Sequence, residues 1–585
     1  MKTIIKTVLS ILFVIFFQMN IDMYVLPFDS FYTKDRVLDV FLFVIIYVSF
    51  RVWQDGKNEY KRWSLIIASL LAGFYVLGYN IERYLDIFTE FNRNWIIGKL
   101  FLKWLSCWYV FSMLLLYFFK RLDDLKQMDV CRRIKNVSKS IRYLILILIF
   151  AIVWLPFYID NYPGVIYGDS WNQIYQALGI ENFTTHHPVM HTLLLKICLV
   201  VCHEPESGIV LYSIVSFLGI IAILAGIINL MIEEDFDFRV IIISGLIYVF
   251  FPSIPMFAVT VTKDSWFAAF VGLFLVELYI VLMNKKWGGH FVGLTGSAIG
   301  MGIFRKNGIY LLIFTVLYML IYICLKKAKM GKVMFICTLA IFVSIGIEKG
   351  AVYFLSIDQG SPREMLSLPI QQMARIEKNV KELDDEMRKE IDSYFKEGSS
   401  LGEAYYPLIS DNAKDRFSEK KYDKREKEFL ILSAKLFLAY PEESLEAFMC
   451  NSFGYWYPIT INWFYVKNND KQLNIEETVL KHEYPLNVEY IYFDEFKNIT
   501  GAASLFSIGI VFWFFMIIGG YLAANKDYEK LTILVPLGAL WLTSAASPVY
   551  NELRYVLSIY TAFPVICQLM FGKTTGNFLN EKGVL

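Results

Sequence analysis

Asp169 lies in the run Tyr162-Pro163-Gly164-Val165-Ile166-Tyr167-Gly168-Asp169-Ser170-Trp171-Asn172-Gln173, where Pro-Gly forces a turn and a helix start follows. The same stretch ends Thr184-Thr185-His186-His187-Pro188, so one loop holds a carboxylate and two histidines with aromatics between them. A carboxylate in such a place can take the proton from an attacking hydroxyl. The plainer alternatives are that Asp169 caps the helix it opens, and that His186 and His187 are polar residues at a membrane interface. Three further stretches set charges beside apolar runs: Thr262-Lys263-Asp264-Ser265, Arg305-Lys306-Asn307-Gly308, and Ser547-Pro548-Val549-Tyr550-Asn551-Glu552-Leu553-Arg554-Tyr555. Polar groups at membrane depth are costly and tend to face a cavity. An arginine can clamp a phosphate by paired hydrogen bonds and stabilise it as it leaves. Asp264 equally suits a helix cap, Lys263 equally suits snorkelling, and each cation equally suits interfacial anchoring. Together Asp169, His186, His187, Lys263, Asp264, Arg305, Lys306, Glu552, Arg554 and Tyr555 supply the acid, cations, histidines and aromatics that a sugar on an anionic lipid head group would need.

The elements that must position these residues are membrane helices. Of 585 residues, 56% are hydrophobic and only 19% charged, and the mean hydropathy is +0.46. That excludes a disordered chain, a coiled coil and a disulfide-stapled domain, and the recurring long apolar runs exclude one soluble core. The net charge of +1 points to no nucleic-acid partner. The eight cysteines are scattered without a CxxC pair, so neither a disulfide framework nor a zinc site is expected. Fourteen apolar runs read as spans: 4–27, 37–53, 63–79, 95–119, 143–160, 206–232, 239–257, 265–284, 287–304, 309–326, 332–354, 502–523, 530–547 and 555–571. The first lacks a small-x-small cleavage site and reads as a retained anchor.

Lys and Arg set the orientation. With both termini in the cytoplasm, the inside loops are the basic ones, including eight Lys and Arg between Lys120 and Arg142. Val189–Cys202, if it spanned, would flip every later loop and put the basic ones outside, so it is expected to be re-entrant or interfacial. All four charged stretches then fall on the extracytoplasmic face. So does the hydrophilic segment 355–501, where Gln371–Phe395 and Lys424–Tyr440 have helical periodicity and Glu442–Phe453 resumes it after Pro441. Tyr455-Trp456-Tyr457-Pro458 and Trp463-Phe464-Tyr465 read as an aromatic belt at the membrane surface. The fold class is therefore an all-α, multi-pass cell-membrane protein with about fourteen spans and one extracytoplasmic, mostly helical domain.

Other signals carry less. Asp235-Phe236-Asp237 matches a metal-holding DxD string, but it sits in a short cytoplasmic turn and reads as a solvated acidic turn. There is no GxxxxGK[ST] loop and no HExxH. His186, His187, His191 and His203 lack nearby carboxylates at helical spacing, so no metal ligand set is assigned. Lys99 and Lys103 are the clearest mid-span charges.

In these loops the chain resembles the GT-C superfamily of membrane glycosyltransferases, which use polyprenol-phosphate sugars, and more narrowly a little-characterised bacterial branch of it. The resemblance rests on the 162–173 loop, His186-His187-Pro188, Lys263-Asp264, Arg305-Lys306-Asn307-Gly308, Leu368–Arg375, Tyr406–Asp411, Gly454–Pro458 and Glu552–Tyr555. It implies a seven-helix catalytic module over 143–354, with a long first outer loop (161–205) carrying the catalytic aspartate at Asp169. It also implies phosphate-binding cations at Arg305 and Arg554. Residues 1–142 would then be four extra spans and a basic cytoplasmic loop, 355–501 the extracytoplasmic domain, and 502–585 three C-terminal spans. Ser170 stands where a second acid is common, which leaves divalent-metal dependence open. Val189 stands where a second proline is common. The implied reaction is inverting transfer from a polyprenyl-phosphate sugar to a glycan, lipid or wall-polymer acceptor, with membrane lipid around it. The alternative is a transporter or flippase of a lipid-linked glycan.

Overall fold

The computed structural model describes residues 56–86, 93–126, 137–166, 168–326, 330–398, 400–458, 507–546 and 552–571, together with Tyr47, Trp53 and Gln54. The expected span 4–27, the span 37–53 apart from Tyr47 and Trp53, Trp463-Phe464-Tyr465 and the stretch 547–551 lie outside them. In chain order the helices that matter are α1 (Asn58–Tyr84), α2 (Arg93–Lys126), α3 (Lys139–Asp160), α4 (Asp169–Leu178), α5 (Val189–Cys202), α6 (Pro205–Glu233), α7 (Phe238–Phe250), α8 (Ser253–Ala258), α9 (Lys263–Tyr279), α10 (His290–Phe304), α11 (Lys306–Lys326) and α12 (Gly331–Leu355). A head segment follows with α13 (Ser367–Asn379), α14 (Asp385–Asp392), α15 (Asp411–Lys414), α16 (Glu426–Ala439) and α17 (Pro441–Ser452). The described chain ends in α18 (Ile508–Ala524), α19 (Tyr528–Ala546), α20 (Leu557–Thr561) and α21 (Phe563–Phe571). Among the described residues the β structure is limited to isolated bridges.

Seven helices in the described residues are long and apolar enough to cross a membrane, or eight if the pair Leu553–Thr561 and Phe563–Phe571, bent by 42°, is one span. The chain is a multi-pass membrane protein. Large apolar side chains such as Ile152, Leu325 and Phe342 point outward from these helices, as lipid contact requires. α9 with its continuation to Asn284 is the most enclosed of the seven and forms the centre of the bundle.

The breaks have local causes. The run 239–257 is two helices because Pro252 supplies no N–H to continue α7. Gly288 and Gly289 delay α10 to His290, leaving it 15 residues. α5 has 14 residues, which at about 1.5 Å each is about 21 Å, short of a bilayer core of about 30 Å. Lys99 is the seventh and Lys103 the eleventh residue of a 34-residue helix, both ahead of its midpoint. The periodicity of 371–395 is divided because Val380 is extended and Asp384 starts α14 with a cap to the Met387 amide.

The 455–457 aromatics correct an expectation. Tyr455, Trp456 and Tyr457 form no surface belt; all are buried. Trp456 packs on Phe74 of α1, and Trp513 of α18 donates to the Trp456 carbonyl at 2.8 Å. The Tyr457 hydroxyl donates to Glu82 at 2.9 Å. Gly78 and Gly509 allow this close approach, since a Cβ at either would overlap Tyr457. A second core, around Phe417, Phe429 and Leu432, stabilises the head segment by itself.

Candidate active site

The loop after α3 is held on the segment before α9. The Val165 amide donates to the Val259 carbonyl at 3.1 Å, and the Val261 amide donates back to Val165 at 2.9 Å. Ser170 donates to the Val261 carbonyl at 2.5 Å, and Gln173 to Thr192 at 3.0 Å. Gly168 takes φ +50 just before α4, a conformation that favours glycine. These contacts bring the first turn of α4 against the first turn of α9, and so Asp169 against Lys263.

The far end of the loop is tied to the head segment. The Thr185 amide donates to Asp358 at 2.9 Å, and Gly360 donates to the Thr185 hydroxyl at 2.9 Å. Lys306 donates to the Thr185 carbonyl at 2.8 Å. His186 and His187 are therefore fixed where the membrane helices meet the head.

Asp169 accepts from Lys263 Nζ at 2.7 Å and from Arg554 Nη1 at 3.3 Å. It does not cap α4; Gly168 holds the cap position. Lys263 opens α9, where the helix dipole disfavours a cation, and the facing carboxylate offsets that cost. Arg554 also pairs with Glu552 and donates to the Tyr555 hydroxyl at 3.1 Å. Arg305 lies 2.9 Å from Asp264 and 4.4 Å above the Tyr555 ring. Asp264 is fully buried, and Thr262, not Asp264, caps α9.

A cavity of about 580 Å³ opens over this group, a volume suited to a small polar ligand. Of the ten residues singled out in the sequence, nine line it; Asp264 lies behind the wall, against Arg305. Sequence reasoning gave no role to Asn172, Thr543 or Ser544, nor to Arg363, Glu364, Asp411, Lys414 and Asp415 of the head segment, which also line it. Among the described residues no group of three His, Cys, Asp or Glu is placed to hold a metal ion. The Asp235–Asp237 turn is remote in role: Asp237 caps α7 and pairs with Arg239.

Burial alone would raise the Asp169 carboxyl, but Lys263 and Arg554 outweigh it and hold the group well below the usual carboxylate range. About a third of the side chain, 35%, stays open to the cavity. Burial, reinforced by Lys263, pushes the His187 ring down to about 2. Lys263 donates to His187 Nδ1 at 3.3 Å, which leaves the ring proton on Nε2. Below about 6.5, the ordinary imidazole value, the unfolded chain takes up a proton that folded His187 refuses, so stability is lost as the pH falls. His187→Gln is expected to flatten the fall in apparent Tm between about pH 7 and about pH 5 in detergent. Equal slopes for both proteins would show that His187 is accessible and titrates normally.

A partly exposed carboxylate between two cations, with more cations and an aromatic face around one cavity, can bind a phosphate and move a proton beside it. No curated protein and no solved structure matches the chain. The model of DUF6020, a family of unknown function, matches residues 119–582, which include every one of these site residues, and the chain belongs to that family.

Proposed function

We propose that this chain is a membrane glycosyltransferase of GT-C type that moves a sugar from a polyprenyl phosphate to an acceptor hydroxyl at the extracytoplasmic face. The observation that carries the reading is Asp169, an ionised carboxylate shared by Lys263 and Arg554 at the cavity wall. The apolar runs among the undescribed residues would add further spans, with 143–354 as the catalytic module.

In the reaction the acceptor hydroxyl loses its proton to Asp169 and its oxygen forms a bond to the anomeric carbon. The bond from that carbon to the phosphate oxygen breaks, and its electron pair leaves with the lipid phosphate. Attack opposite the leaving group inverts the anomeric centre. Arg554, Arg305 and Lys263 stabilise the charge that builds on the phosphate. Without substrate, Asp169 is a weak base because two cations hold it. A donor phosphate draws the same cations, so the carboxylate gains basicity once the donor is in place.

The test is donor turnover by purified protein in detergent, with radiolabelled polyprenyl-phosphate hexoses and pentoses. Sugar release or transfer is expected. No turnover of any donor, with lipid-linked glycan crossing reconstituted vesicles instead, would replace the enzyme with a transporter.

A further inference from the structure

The cavity has two halves of opposite electrical character. The helix half presents Lys263, Arg305, Lys306 and Arg554 against Asp169 and Glu552, with Asp264 behind. The half supplied by the head segment presents Glu364, Asp411 and Asp415 against Arg363 and Lys414. The two head cations are not equivalent to free charges. The Lys414 side chain is only 4% exposed and is closed between Glu364 and Asp411, each at 2.7 Å. Arg363 lies between Glu364 at 3.5 Å and Asp415 at 3.6 Å. Asp411 and Asp415 are the most open of the five, with 53% and 71% of their side chains exposed against 40% for Arg363 and 4% for Lys414.

From this polarity we infer that the head half is the acceptor subsite, and that it selects a hydroxyl-rich glycan that is neutral or carries an amine, over a phosphate-bearing wall polymer. The inference rests on the glycosyltransferase reading. Carboxylates accept hydrogen bonds from sugar hydroxyls and attract an ammonium, and they repel a second phosphate. The donor phosphate, held on the helix half, repels an anionic acceptor as well. The two substrates are thus oriented by charge: phosphate towards α9 and Arg554, acceptor hydroxyls towards Asp411 and Asp415.

The test compares two probes on the detergent-purified protein: a neutral N-acetylhexosamine disaccharide and the same disaccharide bearing one phosphate. Binding is measured by calorimetry with farnesyl phosphate saturating the helix half. The neutral glycan is expected to bind at least about tenfold tighter, a gap of about 1.4 kcal/mol. Asp415→Lys is expected to close most of that gap; its side chain is open and its one pairing is loose, so the fold should tolerate it. Asp411→Asn in a second variant should narrow the gap in the same direction. A purely structural role would weaken both probes equally and leave their ratio unchanged. Equal or tighter binding of the phosphorylated glycan to the wild type overturns the inference. Farnesyl phosphate binding, read in the same titrations, reports on the donor half alone: if it binds and the acceptor ratio does not move, only the subsite falls. If it does not bind, the glycosyltransferase reading falls, and the inference with it.

Discussion

Asp169→Asn is expected to abolish sugar transfer and, at the same time, to tighten the hold on polyprenyl phosphate. The amide keeps the shape of the side chain but can neither take a proton nor neutralise Lys263 and Arg554. Loss of a positioned general base costs typically about 10²–10⁴ in rate. Binding should move the other way. The carboxylate oxygen occupies the same cations that a phosphate needs, at 2.7 Å and 3.3 Å. Removing its charge frees them, so donor affinity should rise several-fold, and added polyprenyl phosphate should raise the apparent Tm of the variant more than that of the wild type. The checking measurements are radiolabelled donor turnover and thermal shift with polyprenyl phosphate. An active variant would end the assignment of Asp169 as the base. An inactive variant that had also lost the lipid phosphate would make Asp169 a structural counter-ion only.

The membrane half of the site is legible in the sequence because charge is conspicuous there. Arg305, Lys306, Glu552 and Arg554 stand beside apolar runs, where an ionised group needs a reason, and the cavity is that reason. Topology then does the sorting, since one orientation places all four stretches on one face. Asp264 shows the limit of this logic: its charge is as conspicuous as that of Lys263, but its side chain is turned behind the wall to Arg305. The head half is not legible by the same means. In a hydrophilic segment Arg363, Lys414 and Asp415 look like ordinary surface charges, and only the tertiary fold selects them. Asp411 belongs to the run 406–411 singled out in the sequence, yet nothing local says that its carboxylate opens towards a cavity. The 455–457 aromatics misled for a related reason. Tyr and Trp next to apolar spans suit a membrane surface and a helix interface equally, and the glycines that decide between them, Gly78 and Gly509, lie far away in the chain.

Arg375→Ala is expected to destabilise the head segment by at most about 3–5 kcal/mol, the cost of stripping the cation from a fully buried acid, since Glu446 is buried but Asp86 and Glu443 are partly exposed. Arg375 is buried on α13 and holds three carboxylates at once. Its Nε donates to Glu443 at 2.7 Å, and its Nη2 donates to Asp86 at 3.0 Å and contacts Glu446. Its Nη1 donates to the Tyr405 hydroxyl at 3.2 Å. Burial and then the adjoining Asp86 raise the Glu446 carboxyl to about 9, and Arg375 acts against that rise. Asp86 lies two residues beyond α1, which makes this cluster, with Tyr457, a joint between α1 and the head. The joint leads to the cavity. α13 bonds the 406–411 turn through Gln371 to the Tyr406 carbonyl at 2.6 Å and through Ser367 to Ser410 at 2.9 Å, and that turn delivers Asp411 to the cavity. A fall in apparent Tm by thermal unfolding in detergent checks the prediction, together with a double-mutant cycle. Arg375→Met keeps much of the volume and should be nearly as harmful as Arg375→Ala, while adding Glu446→Gln should recover part of the loss. If Arg375→Met behaves like the wild type, the joint is held by packing, such as that of Trp456 on Phe74, and not by charge.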